Sequence, residues 1–438
     1  MAAEGFVEAP RPPTVFSRYK RGVAWSLIGT AAGRGITLLA TIVLARMLGP
    51  ASYGRWGVIQ STIGAGATLV GFGATLTATK QVAQHRNTAP EAAAGRAVLA
   101  LLLAGGFGLL GATILVLLAD PFADLVFPGA SLGPLIRLGA GALFFGTLGG
   151  AQVGVLIGVE AFPSVCVVTL VRGVAMALGV VVGALLFGVA GAVAAGAFGE
   201  LAGATAGYFA ARRACRQAGL HLDLRLAWRE RATFWRFSLP AFAAAACVQP
   251  AMWLCQVALM HRSDGVVQAG YFAFAYRWYL LIMFFSSAIS PVGLTVLSNL
   301  RSTASAATHA HFLRVAIGIN VAVVTAPAVG VIVLAGLLCR LAGSGYGPAS
   351  PTVVILALAC IPSALNTVIS QAALSLDRVR IWVASDVALA VALGVLAIWL
   401  APALGSLGVA LAYLAGYVVT CVVLIGPVAV AIRQGARR

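Results

Sequence analysis

The chain reads Phe-Gly-Val-Ala-Gly-Ala-Val-Ala-Ala at residues 187–195 and Leu-Gly-Ser-Leu-Gly-Val-Ala-Leu-Ala at residues 404–412, which lie 217 residues further on. Nearly the same offset recurs at two other places: Ala-Ser-Tyr-Gly at 51–54 with Ala-Gly-Tyr-Phe at 269–272, and Gly-Val-Glu-Ala-Phe at 158–162 with Ser-Leu-Asp-Arg-Val at 375–379. A constant offset indicates an internal duplication. Repeats of this size in a hydrophobic chain are typical of transporters.

Composition places the repeated unit in a membrane. The chain is 61% hydrophobic and 9% charged, whereas soluble domains carry about 25% charged residues. Apolar runs of about 20 residues, the length that spans a bilayer as a helix, begin near residues 23, 56, 97, 136, 165, 189, 237, 271, 312, 351, 381 and 405. Strand-like alternation is missing from the sequence, so helices must satisfy the backbone hydrogen bonds. We therefore predict an all-α integral membrane protein with about twelve transmembrane helices.

Each half contains six of these runs. Because six is an even number, both halves enter the membrane from the same side, and the repeat is parallel. The sequence thus predicts a cytoplasmic tail at 1–21, a first six-helix bundle at 22–212, a basic amphipathic connector at 213–236, a second bundle at 237–432 and a short tail at 433–438.

The net charge of +17 is explained by orientation rather than by nucleic acid. With the N-terminus inside, 21 Lys and Arg residues fall in inner tails and loops and five in outer ones. This positive-inside bias predicts that both termini are cytoplasmic. The inner basic residues also suit contact with anionic lipids, so we expect membrane lipid and no nucleic acid among the partners.

Charged side chains within the apolar runs are the best pointers to function, because placing a charge in hydrocarbon costs at least a few kcal/mol. From the predicted helix starts, Arg34 and Glu200 lie about 16 Å deep, near the midplane. Arg172 and Arg277 lie only about 10 Å deep, where their side chains can snorkel. Asp386 is a second, shallower acid.

Two interpretations of Arg34 and Glu200 remain open. The two side chains can neutralise each other as a structural pair. Alternatively, the Arg34 guanidinium faces a cavity and binds phosphate, while protonation of Glu200 couples transport to an ion gradient. Arg172 and Arg277 are further candidate cavity cations, and Asp386 is a second candidate coupling residue.

Several amides lie in or near the predicted helices, namely Gln60, Gln152, Gln249 and Asn320. Amides can contact sugar hydroxyls, but they also join helices to one another. Cysteine and histidine spacing gives no metal site and no soluble-enzyme motif. We predict a transporter without a catalytic residue, a metal or a cofactor, other than H⁺ or Na⁺ as a candidate coupling ion.

Two segments carry a family resemblance. The first is Ser-Arg-Tyr-Lys-Arg-Gly-Val-Ala-Trp-Ser-Leu at 17–27 followed by Val-Leu-Ala-Arg-Met-Leu-Gly-Pro-Ala-Ser-Tyr-Gly at 43–54, and the second is Gly-Tyr-Phe-Ala-Phe-Ala-Tyr-Arg at 270–277. They resemble the polysaccharide transporter (Wzx-like) flippases of the multidrug/oligosaccharidyl-lipid/polysaccharide (MOP) superfamily, which also contains the MATE exporters.

The resemblance implies a flippase of the bacterial inner membrane for an undecaprenyl-pyrophosphate-linked oligosaccharide, used in O-antigen (lipopolysaccharide), capsule or exopolysaccharide biosynthesis. A polysaccharide polymerase and a chain-length regulator are candidate partners. Arg34 stands twelve residues before Arg46 of the Ala-Arg-x-x-Gly motif, as a cavity arginine does in the related lipid II flippases. Ala40 replaces their next cavity arginine, which argues against lipid II as the cargo.

Three other functions are compatible with the sequence. A MATE-like exporter of drugs or metabolites would depend more on a midplane acid than on Arg34. A membrane polymerase or glycosyltransferase is disfavoured by the short outer loops. A scaffold of a polysaccharide assembly complex would tolerate Arg34→Ala.

Overall fold

The chain forms long helices that run back and forth between two faces. The computed structural model describes residues 15–71, 73–221, 223–229, 248–303, 306–375 and 379–435. The helices of the first half are α1 (Val15–Val70), α2 (Ala74–His85), α3 (Pro90–Leu117), α4 (Ala119–Val126), α5 (Gly133–Gly158), α6 (Phe162–Gln217) and α7 (Leu224–Arg229). Those of the second half are α8 (Val248–Met260), α9 (Gly265–Thr303), α10 (Ala306–Ala342), α11 (Ser350–Ser375), α12 (Val379–Leu404) and α13 (Ser406–Gly435), with a 3₁₀ turn at Ser344–Ala349.

Two of these helices each contain two membrane crossings. Gly49, with φ 69°, breaks α1 before Pro50, and Gly188, with φ 61°, breaks α6. Glycine suits both positions because it has no Cβ and therefore adopts a positive φ without a steric penalty. Eight described segments are long and apolar enough to span a membrane. Counting α1 and α6 twice and adding α9 gives eleven, and α8, described over Val248–Met260, is the twelfth helix, in agreement with the prediction of about twelve.

The two halves of α6 pack closely as an antiparallel hairpin. Small residues at every fourth position of its second half, Gly191, Ala195, Gly199 and Gly203, lie against Gly183, Gly179, Met176 and Arg172 of its first half. A Cβ added at Gly199 would stand only 2.7 Å from the Met176 Cβ. This small-residue spacing therefore brings the backbones together, as the pattern in membrane helices predicts.

The two bundles meet along α1 and α9, near the predicted outer face. Gly54 on α1 lies against Val266 and Gly270 of α9, and Gly270 lies against the Pro50 carbonyl, so that a methyl group at either glycine would overlap backbone atoms. The largest hydrophobic cluster runs through this junction and includes Trp56, Tyr53, Tyr346 and Phe274. The outer ends of the bundles are thus in contact.

Most helices are longer than the apolar runs from which they were predicted. Most helices begin a few residues before the apolar run, as α3 does at Pro90 and α9 at Gly265, because helices continue beyond the hydrocarbon into the headgroup region. Helix α6 extends to Gln217 and therefore includes the first residues of the predicted connector. The rest of that connector contains α7, and its residues 230–236 lie outside the described residues, as do residues 1–14 of the predicted N-terminal tail. Helix α13 continues to Gly435, into the predicted C-terminal tail.

Candidate functional site

A cavity of about 400 Å³ lies between the two bundles and is called here the central cavity. Its polar lining consists of Gln60, Ser61, Gln249, Gln256, Tyr276, Arg277 and Tyr413, and Trp253 and Met176 contribute apolar surface. The lining comes from α1, the first half of α6, α8, α9 and α13. Both bundles therefore contribute to one polar space.

Arg277 is the charged residue among the described residues that line this cavity. It lies twelve residues after the start of α9 at Gly265, which is about 18 Å along the helix. The prediction measured the depth of Arg277 from the apolar run that starts at residue 271, and this depth in the membrane stays a prediction. The guanidinium carbon lies 5.0 Å from the centroid of the Trp56 ring on α1. Stacking on an indole keeps the charge in place without neutralising it, so the cation stays available to an anionic ligand.

Amides surround the cation on the neighbouring helices. Gln60 and Gln249, both predicted as sugar-contact candidates, line the cavity. The buried Oε1 of Gln256 has no hydrogen-bond partner among the described residues. A buried amide oxygen without a partner is costly, which is consistent with a site that receives donors from a ligand or from water.

Two further amides have other environments. Asn320 on α10 accepts a hydrogen bond of 2.9 Å from Ser286 on α9 and so joins two helices. Gln152 on α5 is buried beside Gly207 of α6, away from the central cavity. Both are absent from the cavity lining, and their role in sugar contact stays a prediction.

Glu200 forms an ion pair with Arg172, and its predicted pairing with Arg34 stays a prediction. A distance of 3.5 Å separates the Arg172 Nη1 and the Glu200 Oε2. The α6 hairpin explains the pairing, because it aligns Arg172 with Gly203, one turn from Glu200. Helix α6 begins at Phe162, so Arg172 lies about 15 Å along the helix from its start. The depth of Arg172 in the membrane stays a prediction.

Arg34 lies on the same level of the first bundle. Its neighbour Gly33 packs against Thr169 and Gly173 of α6, which places the backbone of α1 at this point beside that of Arg172. The Arg34 side chain lies outside the described residues. Its role as a phosphate ligand therefore stays a prediction.

Asp386 lies in the second bundle, half-buried on α12. It is close enough to interact electrostatically with Tyr417. The Tyr417 hydroxyl accepts a hydrogen bond of 3.1 Å from Tyr279, whose hydroxyl also contacts Ser363. Asp386 does not line the central cavity, and its coupling role is untested.

A second, apolar pocket of about 570 Å³ adjoins the central cavity. Its walls come from α1, α3, α4, α5 and α8 and are almost wholly aliphatic, including Leu69, Ile114, Leu118 and Leu125. Trp253 and Ala65 line both spaces. The Trp253 Nε1 donates to the Thr62 hydroxyl over 3.0 Å, and its ring stacks on Phe122. Trp253 thus forms a wall between a polar and an apolar compartment.

Aromatic lining was missed by the sequence reasoning, which searched for charges and amides. Tyr276 could have been found, because it immediately precedes Arg277 in the quoted motif at 270–277. Trp253 and Tyr413 lie in apolar runs where an aromatic residue is ordinary. Only the packing of α8 and α13 against α9 identifies them as lining.

Comparisons with known proteins agree with this architecture. A solved MATE-family multidrug resistance transporter of the MOP superfamily, in an inward-facing conformation, matches with a TM-score of 0.79 at 14% identity, covering 92% of this chain and 96% of its own. The lipid II flippase MurJ, in an inward closed conformation, matches with a TM-score of 0.73 at 17% identity, covering 94% and 89%. A MOP superfamily transporter from Pyrococcus furiosus matches at 0.70 with 15% identity, covering 95% and 96%. At these identities the likeness concerns the fold.

No curated protein sequence matches the chain. The family model described as "Polysaccharide biosynthesis protein" matches residues 19–298, which include α1, the central cavity arginine and most of the cavity lining. The chain is a multi-pass membrane protein with the fold of MOP superfamily transporters, and it belongs to the polysaccharide biosynthesis protein family.

Proposed function

We propose that this protein is a flippase that moves an undecaprenyl-pyrophosphate-linked oligosaccharide from the inner to the outer leaflet of the bacterial inner membrane by alternating access. It would act as a transporter, without making or breaking covalent bonds. The observation that carries the proposal is the contact at Trp253 between a polar cavity with a cation and an apolar pocket.

The cargo of such a flippase is amphiphilic, and this sets the chemistry of its path. Its polyprenyl tail can stay in an apolar environment while the pyrophosphate and sugars need polar partners to cross. Arg277 offers a planar fork of donors suited to phosphate oxygens. Gln60, Gln249 and Gln256 offer amides for sugar hydroxyls, and the aliphatic pocket beyond Trp253 suits a hydrocarbon chain.

Alternating access requires a junction that can open. The close contact of Gly54 with Gly270 closes the central cavity toward the predicted outer face. Separation of α1 and α9 at this contact would release the cargo outward. A MATE-like exporter of cations is less well supported, because no acidic residue is found among the described residues of the cavity lining.

The test is translocation in proteoliposomes. A fluorescent undecaprenyl-pyrophosphate oligosaccharide is supplied to vesicles that contain the wild type, Arg277→Ala, Arg34→Ala or the control Arg340→Ala, which removes an exposed arginine at the outer end of α10. We expect flipping by the wild type and Arg340→Ala and its loss in Arg277→Ala. A folded wild type that flips none of several glycans contradicts the proposal and favours the exporter or scaffold.

Ion coupling is tested in the same vesicles. If protonation of Glu200 drives transport, Glu200→Gln loses its dependence on a pH gradient. Normal, gradient-dependent flipping by Glu200→Gln would leave Glu200 as the structural partner of Arg172.

A further inference from the structure

A second basic cavity lies at the inner end of the first bundle, far along α6 from the Arg172–Glu200 pair. Its volume is about 460 Å³, which is within the size range of small-ligand sites. It is lined by Arg212, Arg216, His221, Tyr208 and Gln152, with apolar surface from Leu101, Ala211 and Leu220. We call it the inner basic cavity.

No described residue neutralises the cations of this cavity. Among the described residues, no carboxylate lines the cavity and none forms an ion pair with Arg212 or Arg216. Elsewhere at the inner face, by contrast, Arg86 pairs with Glu160 at 2.6 Å. Two exposed guanidinium groups that converge on one concave space create a local field suited to an anion.

Gln152 gives an independent indication of a ligand. Its side chain is 4% exposed, and its Oε1 is buried without a hydrogen-bond partner among the described residues. The amide lies against Gly207, where an added Cβ would overlap it, so this glycine makes room for it. An unpartnered buried amide beside two arginines is an arrangement that a hydroxyl-bearing anion would complete.

The depth of the cavity indicates what kind of anion reaches it. Gln152 lies six residues before the end of α5, which is about 9 Å along the helix. Tyr208 and Phe209 beside the arginines are 52% and 64% exposed, as in the aromatic belts at membrane–water interfaces. This is the level at which we expect a lipid phosphate, with its acyl or prenyl chains toward the hydrocarbon.

We propose that the inner basic cavity binds the phosphate of a lipid headgroup through Arg212 and Arg216, with Gln152 accepting a hydrogen bond from a headgroup hydroxyl. Two sources share this chemistry: a resident anionic phospholipid and a polyprenyl phosphate that awaits transport. The second source rests on the proposed function, and the first does not.

The test is lipid binding by the purified full-length protein. Native mass spectrometry measures retention of phosphatidylglycerol, undecaprenyl phosphate and, as a zwitterionic control, phosphatidylcholine. Arg213→Ala is the control for surface charge, because Arg213 lies on the same turn of α6 and carries the same charge but lines only a neighbouring pocket, which it shares with Arg212 and Arg216. Size-exclusion profiles establish that each variant is folded.

We expect Arg212→Ala and Arg216→Ala each to weaken binding of an anionic lipid by about tenfold or more, as for loss of a charge-assisted hydrogen bond, and Arg213→Ala to leave it unchanged. Equal weakening by all three variants would show that lipid binding depends only on general surface charge, and this would overturn the proposal. Unchanged binding in all three variants would overturn it as well. Gln152→Leu adds a test, since it should weaken phosphatidylglycerol, which has glycerol hydroxyls, more than undecaprenyl phosphate.

The source is distinguished by competition. Displacement of phosphatidylglycerol by undecaprenyl phosphate identifies a loading site for cargo, whereas retention of phosphatidylglycerol alone identifies a resident phospholipid. If the protein fails the translocation assay but binds lipid in a manner that depends on Arg212 and Arg216, the proposed function is contradicted and the lipid site is still supported.

Discussion

Tyr53 and Tyr271, which lie 218 residues apart at equivalent places of the internal repeat, each have their ring centroid 6.3 Å from that of Tyr346. The duplicated motifs therefore meet in space at the outer junction of the bundles. Gly54 and Gly270, each next to one of these tyrosines, allow the two backbones to approach. The repeat builds the outer closure from a copy of the same motif in each half.

The first prediction concerns this closure. Gly54→Leu should push α1 away from Val266 and Gly270, because overpacking a close contact costs about 1–3 kcal/mol. The population should shift toward an outward-open state. An impermeant maleimide added outside should then label a cysteine at Ser61, in the central cavity, several-fold faster than in the parent.

Gly330→Leu on α10 is the control, because a new side chain there meets open space. It should leave labelling of the Ser61→Cys background unchanged. Gly54→Ala, a smaller change, serves if Gly54→Leu does not fold. Unchanged labelling in both folded Gly54 variants would show that this contact does not hold the outer side closed.

The second prediction concerns the stacking of Arg277 on Trp56. Trp56→Leu removes the aromatic face and should weaken binding of undecaprenyl pyrophosphate by about thirtyfold, since Trp56 is fully buried and a desolvated cation–π contact is worth about 2 kcal/mol. Trp56→Phe should recover part of the affinity. Titration of each variant in detergent measures the Kd.

Trp399→Leu controls for the loss of a tryptophan away from the cavity; because Trp399 is 76% exposed and Trp56 is fully buried, size-exclusion profiles establish that each Trp56 variant is folded. Equal loss of affinity in Trp399→Leu and Trp56→Leu would mean that the effect is not specific to Arg277. Arg277→Lys tests the fork geometry separately, since lysine keeps the charge but not the bidentate donors.

Sequence reasoning predicted the number and direction of the crossings, because hydrophobic runs and the positive-inside bias act over whole segments. It could not pair Arg172 with Glu200. That contact depends on the turn at Gly188, which fixes the register of the α6 hairpin. A shift of three residues in a helix start moves a side chain by about 5 Å in depth.

The candidate site was predictable only in part from the sequence. Gln60, Gln249 and Arg277 stood out because a polar residue in an apolar run is rare, and all three line the central cavity. Gln152 and Asn320 satisfied the same criterion but face other environments. Periodicity alone does not say which face of a buried helix meets a cavity when all faces are apolar.

The third prediction concerns the contribution of the Arg172–Glu200 pair to the stability of the protein. Arg172→Ala leaves the Glu200 carboxylate without its partner, whereas Arg172→Ala/Glu200→Gln removes both charges. The two side chains are 45% and 21% exposed, so their coupling is that of a partly exposed pair. We expect the single variant to be less stable than the double variant by about 0.5–1 kcal/mol.

Thermal unfolding in detergent of the wild type, both single variants and the double variant measures this coupling. Arg213→Ala controls for loss of an arginine from the same helix. A coupling energy near zero would mean that the 3.5 Å contact contributes nothing to stability, and the pair would then be free to separate during transport.

The fourth prediction concerns pH and a network at the outer end of the second bundle. The Asp264 carboxylate accepts hydrogen bonds from Arg262 and Gln268 at 2.8 Å each, and Gln268 in turn accepts from the Ser406 backbone N–H at 2.9 Å. The hydrogen bond from Arg262, together with that from Gln268, lowers the pKa of Asp264 below its ordinary value, against a smaller opposing effect of burial. The network thus ties the α8–α9 turn to the start of α13.

A carboxylate whose pKa is lower in the folded state stabilises that state above the pKa of the unfolded chain, about 3.9 for Asp. Its contribution is lost as the pH falls below that value and through the lower folded pKa. Wild type and Asp264→Asn should therefore differ in thermal stability at pH 6 and converge as the pH falls below about 4. Asp124→Asn, at an exposed site on α4, should show no comparable convergence. A constant difference between wild type and Asp264→Asn from pH 6 to pH 3 would show that the ionised carboxylate does not hold this network together.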